Sequence, residues 1–293
     1  MKSALLIVHP SDVARSSAEK ITSWWQSEGV SITVADLDDF PEEPETADLA
    51  GADIDASSFD IAVSLGGDGC MLRAVRLVSD ADVAVLGVNY GKLGYLAEVE
   101  AENVIAALQR VQAGDYTIEE RMRLSVSLHR AGGKQDSGRT PESINLGGVL
   151  NEVVLEKLQS GHTVQLSVSV DGKFFTNYVA DGVILATPTG STAYSMSARG
   201  PIVAPSHEAI ILTPVSPHMI FDRPLILPPE AQVSIEVLDG RPAESATDGK
   251  RQPTLYPGDC LVCEKSAHPA RLVTFAERDF LAVLKEKFDL NDR

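Results

Sequence analysis

The chain has 293 residues, 44% of them apolar, which is enough for two ordinary cores and too few for three. With 25 basic and 42 acidic residues its formal charge is −17, which excludes coating nucleic acid or an anionic membrane by bulk electrostatics, so any phosphate site is local. No apolar run approaches the ~20 residues of a membrane helix, "MKSALLIVHPSD" turns polar too soon for a signal peptide, and an odd set of cysteines, Cys70, Cys260 and Cys263, suits a reducing compartment. A cytoplasmic protein is the expectation.

In the first third, short apolar runs alternate with helical patterns, the signature of βα units around a parallel sheet. "ALLIVH" reads as a buried strand. Residues 11 to 28 form a helix with Val13, Ala14, Ala18, Ile21, Trp24 and Trp25 near helical spacing and Gly29 as its stop, and "SITVAD" is a second strand. Residues 36 to 55 carry nine acidic side chains and no basic one, with Pro41 and Pro44 among them, and read as an exposed loop or lid. "FDIAVSL" is the third strand, residues 70 to 79 a helix, and "VAVLGVN" the fourth strand. "AENVIAALQRVQAGD" is a helix closed by Gly114.

From about Tyr116 the pattern becomes mostly β. "RLSVSLHR", "VLNEVVLEK", "HTVQLSVSVDGKFFT", "DGVILATP", "AQVSIEVLD" and "DCLVCEK" alternate as strands do, and Asp171-Gly172 marks a hairpin turn. Residues 131 to 145 lack periodicity and read as a hairpin loop. "ERDFLAVLKEKFDL" is an amphipathic helix with Phe280, Leu281, Leu284 and Phe288 on one face. The expected division is an α/β domain over 1–115, a mostly-β two-sheet domain over 116–270, and a C-terminal helix over 271–293 that packs back on the first domain.

Three stretches carry chemistry. In "SLGGDGC" a strand ends in Gly66, Gly67, Asp68 and Gly69 and a helix follows, at the carboxyl edge where open α/β sheets bind ligands. Glycines let main-chain amides approach phosphate, and the helix start favours an anion. The turn is not GxGxxG, since Leu72 stands at the last glycine position, and no GxxxxGK[ST] occurs. A plain turn with Asp68 as a helix cap is the other reading. In "ATPTGSTAYSMSARG" five hydroxyl residues fall between Thr187 and Ser195, more than a cap requires, and Tyr194 can cover a base. Asn151 and Glu152 interrupt an apolar strand pattern, so they need partners, which a ligand or a neighbouring strand could supply. Cys260 and Cys263 form a lone CxxC, and His207-Glu208 lacks a second histidine, so neither suggests a metal site.

Together these stretches, with "GVNYGKLGYL" and "ILTPVSPHMIFDRPLILP", resemble the NAD kinase family from the first strand to about residue 285. The resemblance implies phosphorylation of the 2′-hydroxyl of the adenosine ribose of NAD, in a cleft between an α/β and an all-β domain. By similarity Asp68 is the catalytic aspartate. Gly66, Gly67 and Gly69 form the phosphate-donor region, and Gly69 and Arg73 also contact NAD. Asn151 and Glu152 hold the adenine and ribose side, His162 lies nearby, Asp181 faces the nicotinamide end, and Thr192, Ala193, Tyr194, Ser195, Met196 and Ser197 form the dinucleotide loop. The chain departs from the family pattern at Cys70, Tyr95, Val179, Arg199 and Lys250.

The resemblance further implies ATP or polyphosphate as donor, Mg²⁺ arriving with the donor phosphates, no resident metal site, and a homodimer or homotetramer. GGDG alone is shared with lipid and sugar-phosphate kinases, and the charge balance opposes the lipid version. A sensor that binds dinucleotide without turnover is the alternative outside the enzymes, and the presence of Asp68 disfavours it.

Overall fold

The computed structural model describes residues 1–37, 54–78, 80–91, 94–132, 141–238, 240–276 and 279–290. Most of the acidic stretch expected as a lid, and most of the 131 to 145 loop, lie outside the described residues. The described chain forms two compact units, one up to Arg121 and again from His268, the other Met122–Ala267.

The first unit begins with β1 (Ser3–Val8), α1 (Asp12–Ser27), β2 (Ser31–Asp36), β3 (Ile61–Gly66) and α2 (Asp68–Val78). It continues through β4 (Ala84–Asn89), β5 (Val99–Glu100), α3 (Val104–Ala113) and β6 (Thr117–Arg121). The second holds β7 (Leu124–Arg130), β8 (Glu142–Val149), β9 (Glu152–Lys157), β10 (Val164–Val170), β11 (Lys173–Ala180) and β12 (Gly182–Ala186). After the short α4 (Tyr194–Ser197) come β13 (Ile210–Val215), β14 (Leu225–Leu227), β15 (Val233–Val237), β16 (Ala243–Thr247), β17 (Lys250–Leu255) and β18 (Cys260–Lys265). The chain then returns to the first unit with β19 (Ala270–Thr274) and α5 (Phe280–Lys287).

The first sheet runs β2-β1-β3-β4-β19-β6, with β5 beside the end of β4. All its pairings are parallel except β6 with β19. Because β6 and β19 bond to each other, the units meet at Arg121/Met122 and Ala267/His268 and not at the change of rhythm near 115 and 270. β1, β3 and β4 are almost wholly buried, as strands covered by helices on both faces must be. The core takes Ala14, Ala18, Ile21 and Trp25 from α1, and Val104, Ala107, Leu108 and Val111 from α3. Gly114 closes α3 at φ 73°.

The second unit is a sandwich of two antiparallel sheets, β11-β10-β15-β18-β7-β8 and β14-β13-β12-β9-β16-β17. One core joins Leu124, Val126, Leu166 and Ile235 of the first to Val153, Leu155, Val183 and Leu212 of the second. The outer face of β9, β12 and β13 is apolar too, with Val154, Ile184, Ala186, Ile211 and the end residue Val215 packed under Ala198 and Val203. That double burial explains why "GVILA" lacks alternation.

α5 belongs to the first unit, where the Lys287 ammonium lies 5.1 Å from the centroid of the Tyr95 ring. The apolar face expected for it is only partly covered: Phe280 and Leu284 are half-buried, whereas Leu281 and Phe288 are exposed.

Candidate functional site

In the first unit the chain reverses its order between β1 and β3, since β2 lies on one side of β1 and β3 on the other. Open α/β sheets take their ligands at such a switch point. The His9 amide, just past β1, donates to the Leu65 carbonyl at 3.0 Å, and Gly66, Gly67 and Asp68 follow at once. Gly66 is buried, and a Cβ there would overlap Cys70 and crowd His9. Only a residue without a side chain packs there. Gly67 and Gly69 are exposed, and a Cβ on either would meet nothing within 4 Å. Arg73, half-buried one turn along α2, has its guanidinium pKa lowered by burial. Burial pushes the Cys70 thiol up to about 11, which makes it an inert packing group.

Asp68 begins α2 without capping it. Its carboxylate instead accepts from the Tyr95 amide at 2.8 Å and the Leu96 amide at 3.1 Å. Gly94 lies against the same carboxylate, where a Cβ would overlap both oxygens. Asn89, at the end of β4, braces the neighbouring turn by exchanging bonds with Gly91 at 3.1 Å each. Gly94, Tyr95 and Leu96 thus form the seat of Asp68.

In the second unit, Asn151 and Glu152 lie where β8 passes into β9, and the loop after β12 folds onto them. The Thr187 amide donates to the Asn151 carbonyl at 2.9 Å, and the Thr187 hydroxyl donates to the Leu150 carbonyl at 2.5 Å while accepting from the Gly190 amide at 3.1 Å. A Cβ on Gly190 would overlap the Asn151 main chain, so only glycine allows this approach. Most hydroxyls of the loop are turned inward. Ser191 Oγ exchanges bonds with the Val203 main chain at 3.1 and 3.0 Å, Thr192 Oγ1 donates to the Thr189 carbonyl, and Ser195, fully buried, pairs with Thr213 at 3.0 Å. The hydroxyls of Thr192 and Ser195 thus help to hold the loop in shape. Ala193 and Met196 are half-buried, and Tyr194 and Ser197 are exposed.

The Tyr194 hydroxyl lies 3.5 Å from Glu156 Oε2, and its pKa is raised by burial and by the nearby carboxylates of Glu156, Asp181 and Glu152. Asp181 forms an ion pair with Lys157 at 2.6 Å. His162 lies exposed between β9 and β10, and among the described residues no hydrogen bond or ion pair joins it to this cluster.

Sequence reasoning missed Asp248. It stands at φ 46° in the β16–β17 turn, and its carboxylate accepts from the amides of Leu150 at 2.8 Å, Asn151 at 2.7 Å and Glu152 at 3.2 Å. The signal was present, since Asp248-Gly249 between two short alternating runs is the same hairpin signature as Asp171-Gly172. Among the described residues no group of three or more His, Cys, Asp or Glu is placed to hold a metal ion, and no helix is long and apolar enough to cross a membrane.

A doubly wound sheet with an open glycine turn and a held carboxylate at its switch point, on one chain with a sandwich that carries a buried polar loop, has the architecture of a ligand-binding α/β protein whose site would lie at that turn. Residues 5–116 match the model of the ATP-NAD kinase N-terminal domain, and residues 150–275 that of the C-terminal domain. The chain belongs to the NAD kinase family, kinases that act on NAD. It is 36% identical to an NAD kinase of Citrifermentans bemidjiense over 280 residues, 94% of each chain. It is 40% identical to one of Koribacter versatilis over 243 residues, 83% of this chain and 82% of that one. The crystal structure of yeast NADH kinase complexed with NADH matches all of this chain and 89% of its own, at a TM-score of 0.83 and 27% identity. An NAD kinase from Archaeoglobus fulgidus in complex with ATP shares the fold, at a TM-score of 0.72 and 24% identity.

Proposed function

We propose that this protein transfers a phosphoryl group from ATP, or from polyphosphate, to the 2′-hydroxyl of the adenosine ribose of NAD, with Asp68 receiving the hydroxyl proton. The observation that most supports this reading is the Asp68 carboxylate itself. It stands at the switch point between two open glycines and is held by main-chain amides instead of capping its helix. A ribose hydroxyl is a poor nucleophile, and transfer needs it oriented with a proton acceptor in reach. The transition state is loose, so positioning matters as much as basicity.

Asn151, Glu152, Tyr194 and the main chain of Ala193 to Ser197 hold the dinucleotide in this reading, with Asp181 toward the nicotinamide and Arg73 on a phosphate. Gly67 and Gly69 receive the donor phosphates on their amides. Mg²⁺ enters as part of the ATP substrate, since that ion prefers phosphate oxygens and water with few protein ligands. Association as a homodimer or homotetramer in the cytoplasm completes the proposal. Exposed Phe174, Ile220 and Ile226, and the edge contact of Phe175 with Phe221, give the second unit an apolar surface that association would cover.

The test is incubation with NAD, ATP and Mg²⁺ and detection of NADP, repeated with polyphosphate and with NADH. Formation of NADP from NAD supports the reading, and its absence with both donors defeats it. Light scattering of the eluting protein decides the subunit number.

A further inference from the structure

At the start of β9 the carboxyl of Glu152 feels the charge of Asp248, and the two lie in unequal surroundings. Asp248 accepts three main-chain N–H bonds, from Leu150, Asn151 and Glu152, and returns its own amide to the Glu152 carbonyl at 3.0 Å. Glu152 is 7% exposed, receives one main-chain N–H bond, from Tyr194, and its Oε2 has no hydrogen-bond partner among the described residues. When two carboxylates share a site, the charge settles on the one with more donors and the proton on the other. A buried oxygen without a partner also awaits one, and a neutral acid can supply the hydrogen for that bond.

We propose that Glu152 meets the dinucleotide as a carboxylic acid, presenting its proton from Oε2 to an acceptor atom of the bound nucleotide, and that Asp248 is the positioning residue that keeps it in that form. The proposal rests on the reading of Asn151 and Glu152 as part of the NAD site. Burial first, and the Asp248 charge second, push the Glu152 carboxyl up to about 8 against the opposing Tyr194 amide. The other ionisable neighbours do not reverse this. Glu156 and Asp181 are acidic, Lys157 is taken up by its ion pair with Asp181 at 2.6 Å, Tyr194 has its pKa raised, and Lys250 follows Asp248 across one glycine at the head of β17. An ionised Glu152 would accept bonds from sugar hydroxyls, and binding would then strengthen with rising pH. The acid form makes the opposite demand.

Calorimetric titration of the full chain with NAD from pH 6 to 9 separates the two. Affinity is expected to be level up to about pH 7 and to weaken toward roughly tenfold per pH unit above 8, as one proton must be taken up on binding. Glu152→Gln is expected to flatten this profile. Asp248→Asn is expected to move the break to lower pH, a displacement that a merely structural role for Asp248 would not produce. In the ligand-free protein labelled with ¹³C-carboxyl glutamate, one resonance absent from Glu152→Gln should titrate near pH 8. If every glutamate carboxyl titrates below pH 6, or if wild-type affinity is level or rises between pH 7 and 9, the proposal is overturned. The carboxyl titration needs no substrate, so its failure is distinct from a failure to form NADP, which would overturn the functional reading instead.

Discussion

Asp68 and Gly94 share one space: the carboxylate that begins α2 lies where a side chain on Gly94 would stand. The amides of Tyr95 and Leu96 hold it there. Gly94→Ala should therefore displace the carboxylate while leaving both cores intact, and kcat for NADP formation should fall by roughly 10² from misplacement alone. Steady-state kinetics beside a thermal melt checks this. A folded variant with the wild-type kcat would show that Asp68 need not be held.

Asp68→Asn keeps the shape and removes the charge and the proton acceptor. The expected fall in kcat is roughly 10² to 10⁴, with NAD affinity altered far less. Turnover within about threefold of wild type would reduce Asp68 to a structural residue bracing the Tyr95 turn.

Asn151→Ala and Tyr194→Ala each remove a group that points to the dinucleotide in the proposed function, and each should weaken NAD binding by about 1 to 3 kcal/mol. Ser195→Ala should behave differently, because its hydroxyl faces Thr213 inside the protein. Loss of that buried bond should cost about 1 kcal/mol of stability, seen as a lower melting temperature. Calorimetry with unchanged NAD affinity in both Asn151→Ala and Tyr194→Ala would remove the cluster from the binding site.

A methyl on Gly190 would collide with the Asn151 main chain, so the loop must lift from the β8–β9 turn. Gly190→Ala is expected to lose about 1 to 3 kcal/mol of stability and to lose NAD affinity in parallel. Denaturant unfolding and calorimetry on the same preparation would show whether the two losses travel together.

The buried Glu152 also makes folding depend on pH. Its folded pKa, about 8, is raised above the ordinary value of 4.5. The folded state therefore holds a proton that the unfolded chain has released, and the stabilisation, complete below about pH 4.5, is lost as pH rises toward 8. Wild type should lose stability relative to Glu152→Gln across that window, by up to about 1.4 kcal/mol per pH unit. Parallel stability curves for the two proteins would contradict this.

Much of this was legible in the sequence because periodicity reports burial. The runs "ALLIVH", "FDIAVSL" and "VAVLGVN" became β1, β3 and β4, and the alternating segments after Tyr116 became the sandwich. The strands β6, β8, β13, β14, β16, β17 and β19 escaped, and the end of the expected 131 to 145 loop proved to be the start of β8, since most of these strands are short and their pairing joins segments far apart in the chain. The glycine turn was readable as a ligand site, but which glycines are open and which are packed was not: Gly66 fills against Cys70, whereas Gly67 and Gly69 face free space. The hydroxyl loop was readable as a candidate site, but which of its hydroxyls the fold uses was not. Composition counts oxygens, and only coordinates tell that those of Thr187, Ser191 and Ser195 point inward. Asp248 was hidden because its partners, Leu150 to Glu152, lie almost a hundred residues earlier.

In the proposed function the segment that follows β12 is a ligand loop, and it is also the outer cover of β9, β12 and β13, through Ala198 and Val203. Its conformational entropy is therefore surrendered when the chain folds, not when a nucleotide arrives, and binding begins from a loop already in place. Selection cannot act on the two roles separately. A substitution that loosens the loop uncovers the sheet as well, so carriers of such changes are removed for loss of fold before their weaker affinity is tested. The loop's sequence is thus constrained by the thermodynamics of folding at least as tightly as by those of recognition.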